Sequence, residues 1–247
     1  MPLEIRQFPC LSDNYGYLIR DRASGEVAAV DAPDAPAILA ELAASGWKRL
    51  DLILNTHWHA DHTQGAEAVK AHTGCRIVGP EESTRVIALD LVLADGGQVD
   101  LGETRFDVIH TPGHTLGHIV FIDARGGDAF VGDTLFALGC GRLFEGSPEQ
   151  MFHSLKRLKA LPDDTRIWCA HEYTAANARF ALGLEQADAG LRAALEVHAR
   201  DIFALREAGQ PTVPTMLGRE RLLNPFLGAE TVAAFAELRA AKDAFKG

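Results

Sequence analysis

Three imidazoles and one carboxylate fall between positions 57 and 62, in Thr56-His57-Trp58-His59-Ala60-Asp61-His62, directly after the apolar run Leu50-Asp51-Leu52-Ile53-Leu54. Imidazole and carboxylate suit borderline divalent ions, and four of them at this spacing point to metal rather than to a solvated turn. On a helix His57 and His59 would point to different sides, whereas on an open turn after a strand all four side chains can converge. His57 with His59, and Asp61 with His62, read as two ligand pairs. A catalytic ion keeps one position open for water or substrate, so two pairs predict two metals, each completed by residues from elsewhere.

Three later loops each follow an apolar strand and deliver one strong ligand. Phe106-Asp107-Val108-Ile109 leads to His114 in Thr111-Pro112-Gly113-His114-Thr115, Ala129-Phe130-Val131-Gly132 leads to Asp133, and Ile167-Trp168-Cys169-Ala170 leads to His171. Glycine at 113 and 132 permits the tight backbone of a ligand-bearing turn. His57, His59 and His114 are therefore assigned to one ion and Asp61, His62 and His171 to a second, with Asp133 as the bridge. Asp61 and Asp133 are also the expected catalytic carboxylates. His110 and His118 flank the His114 loop and are expected to orient ligands or to serve structure. His72, His153 and His198 have no partner ligands nearby and read as surface or core residues. No GxSxG elbow is present, so a serine nucleophile is not expected.

The elements that must position these groups are legible in outline. Tyr15–Ile19 and Val27–Val30 flank a turn signal and predict an antiparallel hairpin. Asp34 can cap a helix carrying Ile38, Leu39 and Leu42, stopped at Gly46. A second helix is expected from Gln64 to His72, closed by Gly74, and a strand at Cys75–Val78. From Gly97 to Ile122 the pattern is consecutive strands. The first part thus reads as an α/β (α+β) sandwich. After Thr174 strand patterns vanish, and Leu191, Leu195, Ile202 and Leu205 recur at helical spacing up to Gly209 and Pro211. A last helix is expected from about Glu230 to Phe245, with Val232, Phe235 and Leu238 on its buried stripe.

The chain has 247 residues and a formal net charge of -10, from 24 Lys plus Arg against 34 Asp plus Glu. That length supports one large domain or one with a smaller appendage. The acidic balance argues against a nucleic-acid partner. Neither a signal-peptide segment nor a bilayer-length apolar run is read, so no membrane partner and a cytoplasmic location are expected. Cys10, Cys75, Cys140 and Cys169 form no CxxC pair and read as small core residues.

The segments THWHADH at 56–62, TPGHTLGH around His114, Gly132-Asp133-Thr134-Leu135-Phe136 and His171 within AHEYT resemble the metallo-β-lactamase superfamily. Within it, Gly139-Cys140-Gly141-Arg142-Leu143-Phe144-Glu145-Gly146, Asn224-Pro225-Phe226-Leu227 and Arg239-Ala240-Ala241-Lys242-Asp243 are similar to the glyoxalase II family, the hydroxyacylglutathione hydrolases. The resemblance covers nearly the whole chain. It implies an αββα metallo-β-lactamase sandwich over residues 1–172 followed by a smaller helical glutathione-binding domain over 173–247. It also implies two divalent ions, zinc first with iron or manganese as alternatives, that make hydroxide available from a shared water near neutral pH. The substrate it implies is a glutathione thioester, S-D-lactoylglutathione before other 2-hydroxyacyl thioesters, and the products are D-lactate and glutathione. Similarity to the family assigns glutathione contacts to Arg142, Phe144, Tyr173, Arg239 and Lys242. Arg239 and Lys242 stand three apart on a helix and share a face, which suits gripping a carboxylate.

Two positions depart from the family pattern. Phe144 stands where many members carry Tyr, and Gly228 follows NPFL where an arginine is common. A monomer is expected. The competing reading is a mononuclear iron glutathione persulfide dioxygenase of the same superfamily, against which the run Arg142–Gly146 speaks. A flavodiiron-type oxygen reductase fits less well because His59 stands in the third motif position where those proteins resemble H-x-E-x-D-H.

Overall fold

The chain opens with an antiparallel hairpin, β1 (Glu4–Cys10) and β2 (Asn14–Arg20), in a computed structural model that describes residues 3–123, 125, 127–185 and 188–246. Met1 and Pro2 lie outside the described residues. β2 pairs antiparallel with β3 (Val27–Val30), the hairpin expected from sequence. β1 was not expected: its mixed residues Glu4, Arg6 and Gln7 dilute the alternation that signals a strand.

From β3 the chain alternates. Helix α1 (Ala35–Ser45) is capped by Asp34, whose side chain accepts from the Ala37 backbone N–H, and stopped at Gly46 in the left-handed conformation. Strand β4 (Leu52–Leu54), helices α2 (Ala60–Thr63) and α3 (Ala66–Thr73), and strands β5 (Arg76–Pro80) and β6 (Leu91–Leu93) follow. These strands form one six-stranded sheet in the order β1 to β6, with β3 through β6 parallel.

Consecutive strands β7 (Gln98–Leu101), β8 (Thr104–His110), β9 (Ile119–Asp123) and β10 (Asp128–Gly132) build the second sheet as a meander. A small ribbon, β11 (Leu135–Phe136) with β12 (Gly139–Cys140), precedes helix α4 (Pro148–Lys159). Strand β13 (Arg166–Cys169) then joins β10 in parallel. Side chains alternate between faces along a strand. Leu52 and Leu54 thus enter the core between the sheets while Ile53 joins Ile38, Leu42 and Val69 under the outer helices. Met151, Leu155 and Leu158 of α4 cover the other sheet, which completes the αββα sandwich.

The C-terminal region is helical, as expected: α5 (Thr174–Gly183), α6 (Ala189–Glu207), α7 (Leu217–Leu223), α8 (Pro225–Gly228) and α9 (Val232–Ala244). Two details differ from the sequence reading. Strand β14 (Thr215–Met216) pairs with β13 and so adds a C-terminal strand to the second sheet; two residues are too few to show a period. Leu205, read with Leu191, Leu195 and Ile202 as recurring at helical spacing, is 41% exposed, because ten residues beyond buried Leu195 the helix has turned about 80° away from it. The four cysteines are free and buried, as expected. Among the described residues no helix is long and apolar enough to cross a membrane.

The two sheets are joined at one end through Asp21, which is 3% exposed. Its carboxylate accepts from Ser24 N (2.8 Å), Ser24 Oγ (2.7 Å), Glu103 N (3.3 Å) and Thr104 Oγ1 (2.9 Å). Burial opposes ionisation, but these donors outweigh it and bring the pKa down to about 2. The stabilisation is therefore complete above the unfolded carboxylate value of about 3.9 and fades as pH falls through about 2. Asp21→Ala should cost about 2 kcal/mol at neutral pH. In urea titrations the gap between wild type and variant should narrow steadily as the pH is lowered from 5 towards 2.

Candidate active site

Every expected ligand leaves the end of a strand at the same edge of the sandwich. His57 and His59 lie on the open stretch after β4, as the spacing predicts, whereas Asp61 and His62 sit on the one-turn helix α2. Four residues are too short a run to declare a helix in sequence. His114 lies in the loop between β8 and β9, Asp133 directly follows β10, and His171 follows β13. Gly132 has φ of 48°, and a Cβ there would meet His118 Nε2 and Thr56 Oγ1 at 2.7 Å. Only glycine lets that strand end turn Asp133 inward.

The structure brings all seven expected ligands together. Their donor atoms form three groups, His57/His59/His114, His57/His62/Asp133 and Asp61/His62/His171, each with all atoms within 4.8 Å of one another. His59 Nδ1 lies 3.1 Å from His57 Nε2 and 3.0 Å from His114 Nε2. Asp61 Oδ2 lies 3.5 Å from His62 Nε2 and 3.3 Å from His171 Nε2. Asp133 faces both triads: Oδ2 is 3.3 Å from His114 Nε2, and Oδ1 is 3.4 and 3.3 Å from His62 Nε2 and His171 Nε2. Buried polar atoms are almost always hydrogen-bonded, yet His62 Nε2 and Asp133 Oδ1 are buried with no hydrogen-bond partner. Lone pairs converging at such distances fit a divalent cation, so these residues suit the metal that their types imply.

The opposite ring nitrogens are held by Thr56 of the motif, by the Arg142 backbone and by Asp31 and Asp13, two carboxylates that the sequence did not mark as part of the site. Thr56 Oγ1 is 3.0 Å from His57 Nδ1, the Arg142 carbonyl 2.8 Å from His114 Nδ1, Asp31 Oδ2 2.8 Å from His62 Nδ1, and Asp13 Oδ1 2.9 Å from His171 Nδ1. Such partners fix ring orientation and tautomer. Asp31 also accepts from Asn55 Nδ2, Thr56 N and Thr56 Oγ1, and it adopts a φ of 56°. Its signal was present: it follows an apolar strand just as Asp133 does. Asp13 gives no such signal, since 158 positions separate it from its partner.

His118 is an outer partner, as expected. Its Nε2 accepts from the Asp133 backbone N–H at 3.1 Å, its ring stacks on His57, and its Nδ1 meets Thr111 and Thr134 hydroxyls. His110 instead binds the Leu116 carbonyl. Trp58 Nε1 and the Leu116 N–H both donate to Glu145, at 2.9 and 3.0 Å, and so tie two ligand loops to the loop at 142–146.

The two triads differ electrically. Burial, reinforced by neighbouring imidazoles, pushes His57 and His59 down, and burial likewise lowers His114. At His62 burial is outweighed by Asp133 and Asp31, which raise it, and at His171 Asp133 and Asp61 carry the ring up to about 10. Burial opposes charge on Asp133 too, but His171 and His62 hold it below the usual carboxylate range. The pocket thus keeps its carboxylates ionised and draws positive charge to the second triad.

The residues assigned to substrate line the mouth unevenly. Phe144 is 61% exposed and stands edge-on to His59 and His114, with ring centroids 5.5 and 5.3 Å away. Tyr173 stacks on His171 at 4.8 Å. Arg142 is exposed above the Phe144 ring. Arg239 is 6% exposed, with Nη1 on the Cys140 carbonyl at 3.0 Å, and Lys242 donates to the Ala176 carbonyl at 3.1 Å. Arg239 and Lys242 thus each already bond a backbone carbonyl. A Cβ on Gly228 would meet nothing within 4 Å, so that position is open.

An αββα sandwich with histidine and aspartate donors at its strand ends defines a class: residues 17–171 match the Metallo-beta-lactamase superfamily. Residues 172–245 match the Hydroxyacylglutathione hydrolase C-terminus. The hydroxyacylglutathione hydrolase of Maricaulis maris (strain MCS10) is 48% identical over 258 residues, covering 98% of this chain and 99% of its own. The chain belongs to the hydroxyacylglutathione hydrolase family. Its fold is similar to that of ETHE1 from Myxococcus xanthus, with a TM-score of 0.74 at 24% identity over 98% of this chain and 92% of that one. TTHA1623, solved in a di-iron-bound form, gives a TM-score of 0.59 at 27% identity over 68% of this chain and 91% of its own.

Because Asp31 backs His62 from a buried position, Asp31→Asn should weaken metal retention by roughly 10- to 100-fold. Competition against a chelator of known affinity measures this, with circular dichroism confirming that the variant is folded.

Proposed function

We propose that this chain hydrolyses S-(2-hydroxyacyl)glutathione thioesters, S-D-lactoylglutathione first among them, and so removes the conjugate formed from methylglyoxal. The carrying observation is the hydrogen bond from His114 to the Arg142 carbonyl, which joins the metal-ligand cluster to the loop bearing Arg142 and Phe144. Reaction centre and the loop assigned to glutathione are thereby one unit, and relatives similar to this chain from end to end carry the hydrolase name.

In this reading His57, His59 and His114 would hold one divalent ion and Asp61, His62 and His171 a second, with Asp133 available to both. Zinc is the first candidate, with iron and manganese as alternatives; the di-iron form of TTHA1623 supports a binuclear centre. Bound there, the ions supply Lewis-acid chemistry and lower the pKa of water.

The chain's own residues do the rest. Against the cost of burial, His171 and His62 hold Asp61 ionised and Asn14 orients it, so that its carboxylate faces the attacking water, whose proton passes to solvent. The thioester C–S bond breaks, the acyl carbon keeps the water oxygen, and glutathione leaves as its thiolate. Phe144 beside His59 and His114, and Tyr173 beside His171, offer apolar surface to the acyl group, while Arg142, Arg239 and Lys242 make the approach positive for the anionic tripeptide. Residues 1–172 form the catalytic unit and 173–247 the helical unit that completes glutathione binding. The protein acts as a cytoplasmic monomer. A mononuclear iron dioxygenase is not favoured, because it leaves the Asp61/His62/His171 triad without a role.

Purified protein should release free thiol from S-D-lactoylglutathione with close to two metal ions per chain, and exhaustive chelation should abolish release. Asp133→Ala should lose metal and activity together, whereas Lys242→Ala should raise KM with little change in kcat. Oxygen uptake with glutathione persulfide, alongside one iron per chain and no thiol release, would overturn the hydrolase reading.

A further inference from the structure

Three cations crowd the C-terminal side of the mouth, and a single carboxylate organises two of them. Asp243 Oδ1 lies 2.9 Å from Arg239 Nη2 and 3.3 Å from Arg142 Nε. The two arginines differ in what else holds them. Arg239 is fixed: its side chain is buried, Nη1 is on the Cys140 carbonyl, and its guanidinium lies over the Phe226 ring at 5.2 Å. Arg142 is exposed, with its guanidinium over the Phe144 ring at 6.0 Å. Asp243 therefore connects an immobile cation to a mobile one.

We propose that Asp243 is a positioning residue for glutathione recognition, holding the Arg142 guanidinium at the mouth by standing on the buried Arg239. The proposal rests on the hydrolase reading above. An exposed ion pair between two flexible side chains contributes little, because each must be immobilised. Here one end of the chain of contacts is buried and rigid, so the carboxylate is already oriented and only Arg142 needs to be ordered. An arginine ordered in advance loses less freedom when it meets a substrate carboxylate. Asp243 also keeps Arg142 and Arg239 from repelling each other, while Lys242 leaves the cluster with a positive surplus for an anionic ligand.

The test is a double-mutant cycle read by steady-state kinetics with S-D-lactoylglutathione. Asp243→Ala should raise KM by roughly three- to tenfold with kcat nearly unchanged, and Asp243→Glu should restore most of the loss. Arg142→Ala should raise KM to a similar degree, and adding Asp243→Ala to it should change KM no further, because the first substitution removes the group through which the second acts. Metal content per chain should be the same in all four proteins. Additive effects of the two substitutions, or a lowered KM in Asp243→Ala, would overturn the proposal; the second result would mean that Asp243 competes with substrate. Calorimetric titration with glutathione should follow the same order. Thiol release by wild type with an unaltered KM in Asp243→Ala removes this proposal alone, whereas no release by wild type removes the hydrolase reading and this proposal with it.

Discussion

The structure depends on a carboxylate that cannot be left alone. Asp133 is only 6% exposed, and its Oδ1 has no hydrogen-bond donor. A buried charge without a partner is strongly unfavourable, so cationic or metal-bound groups must converge on it from both sides. His114 approaches one oxygen and His62 and His171 the other. These come from two sheets and three strand ends. The sandwich is the frame that lets residues so distant in the chain meet at one point.

Strand ends supply position but not ring orientation, which is set by a second layer of contacts. One triad is backed by a hydroxyl and a backbone carbonyl, the other by the carboxylates of Asp31 and Asp13. The result is an asymmetric centre built from similar ligands. Glu145 and His118 extend the same logic: one ties Trp58 to the loop after His114, the other holds the backbone of Asp133. Displacement of any one loop would therefore be felt by the others.

The C-terminal region buttresses this edge as well as flanking it. Buried Glu220 accepts from Leu138 N, Thr215 Oγ1 and Asn224 Nδ2, and Asn224 in turn donates to the carbonyls of Phe136 and Gly139. The ribbon β11–β12, which carries the chain from Asp133 to Arg142, is thus clamped by residues over eighty positions later. The role of Asn224-Pro225-Phe226-Leu227 is mechanical: Asn224 caps α8 and closes this clamp.

The cluster of candidate ligands was legible because its signals are local. Three histidines and an aspartate within six residues, and a ligand type after each of three apolar runs, point to a metal centre whatever the rest of the chain does. Hydrophobic periodicity likewise disclosed most helices and inner strands, since it reflects burial on one face. What sequence could not disclose were pairings between residues far apart, such as Asp13 with His171, or Asp243 with Arg142. It also could not disclose elements too short to have a period, such as α2 and β14. Hydrogen bonds of that kind depend on which loops come to the same edge, and only the packing of two sheets and a helical buttress decides that.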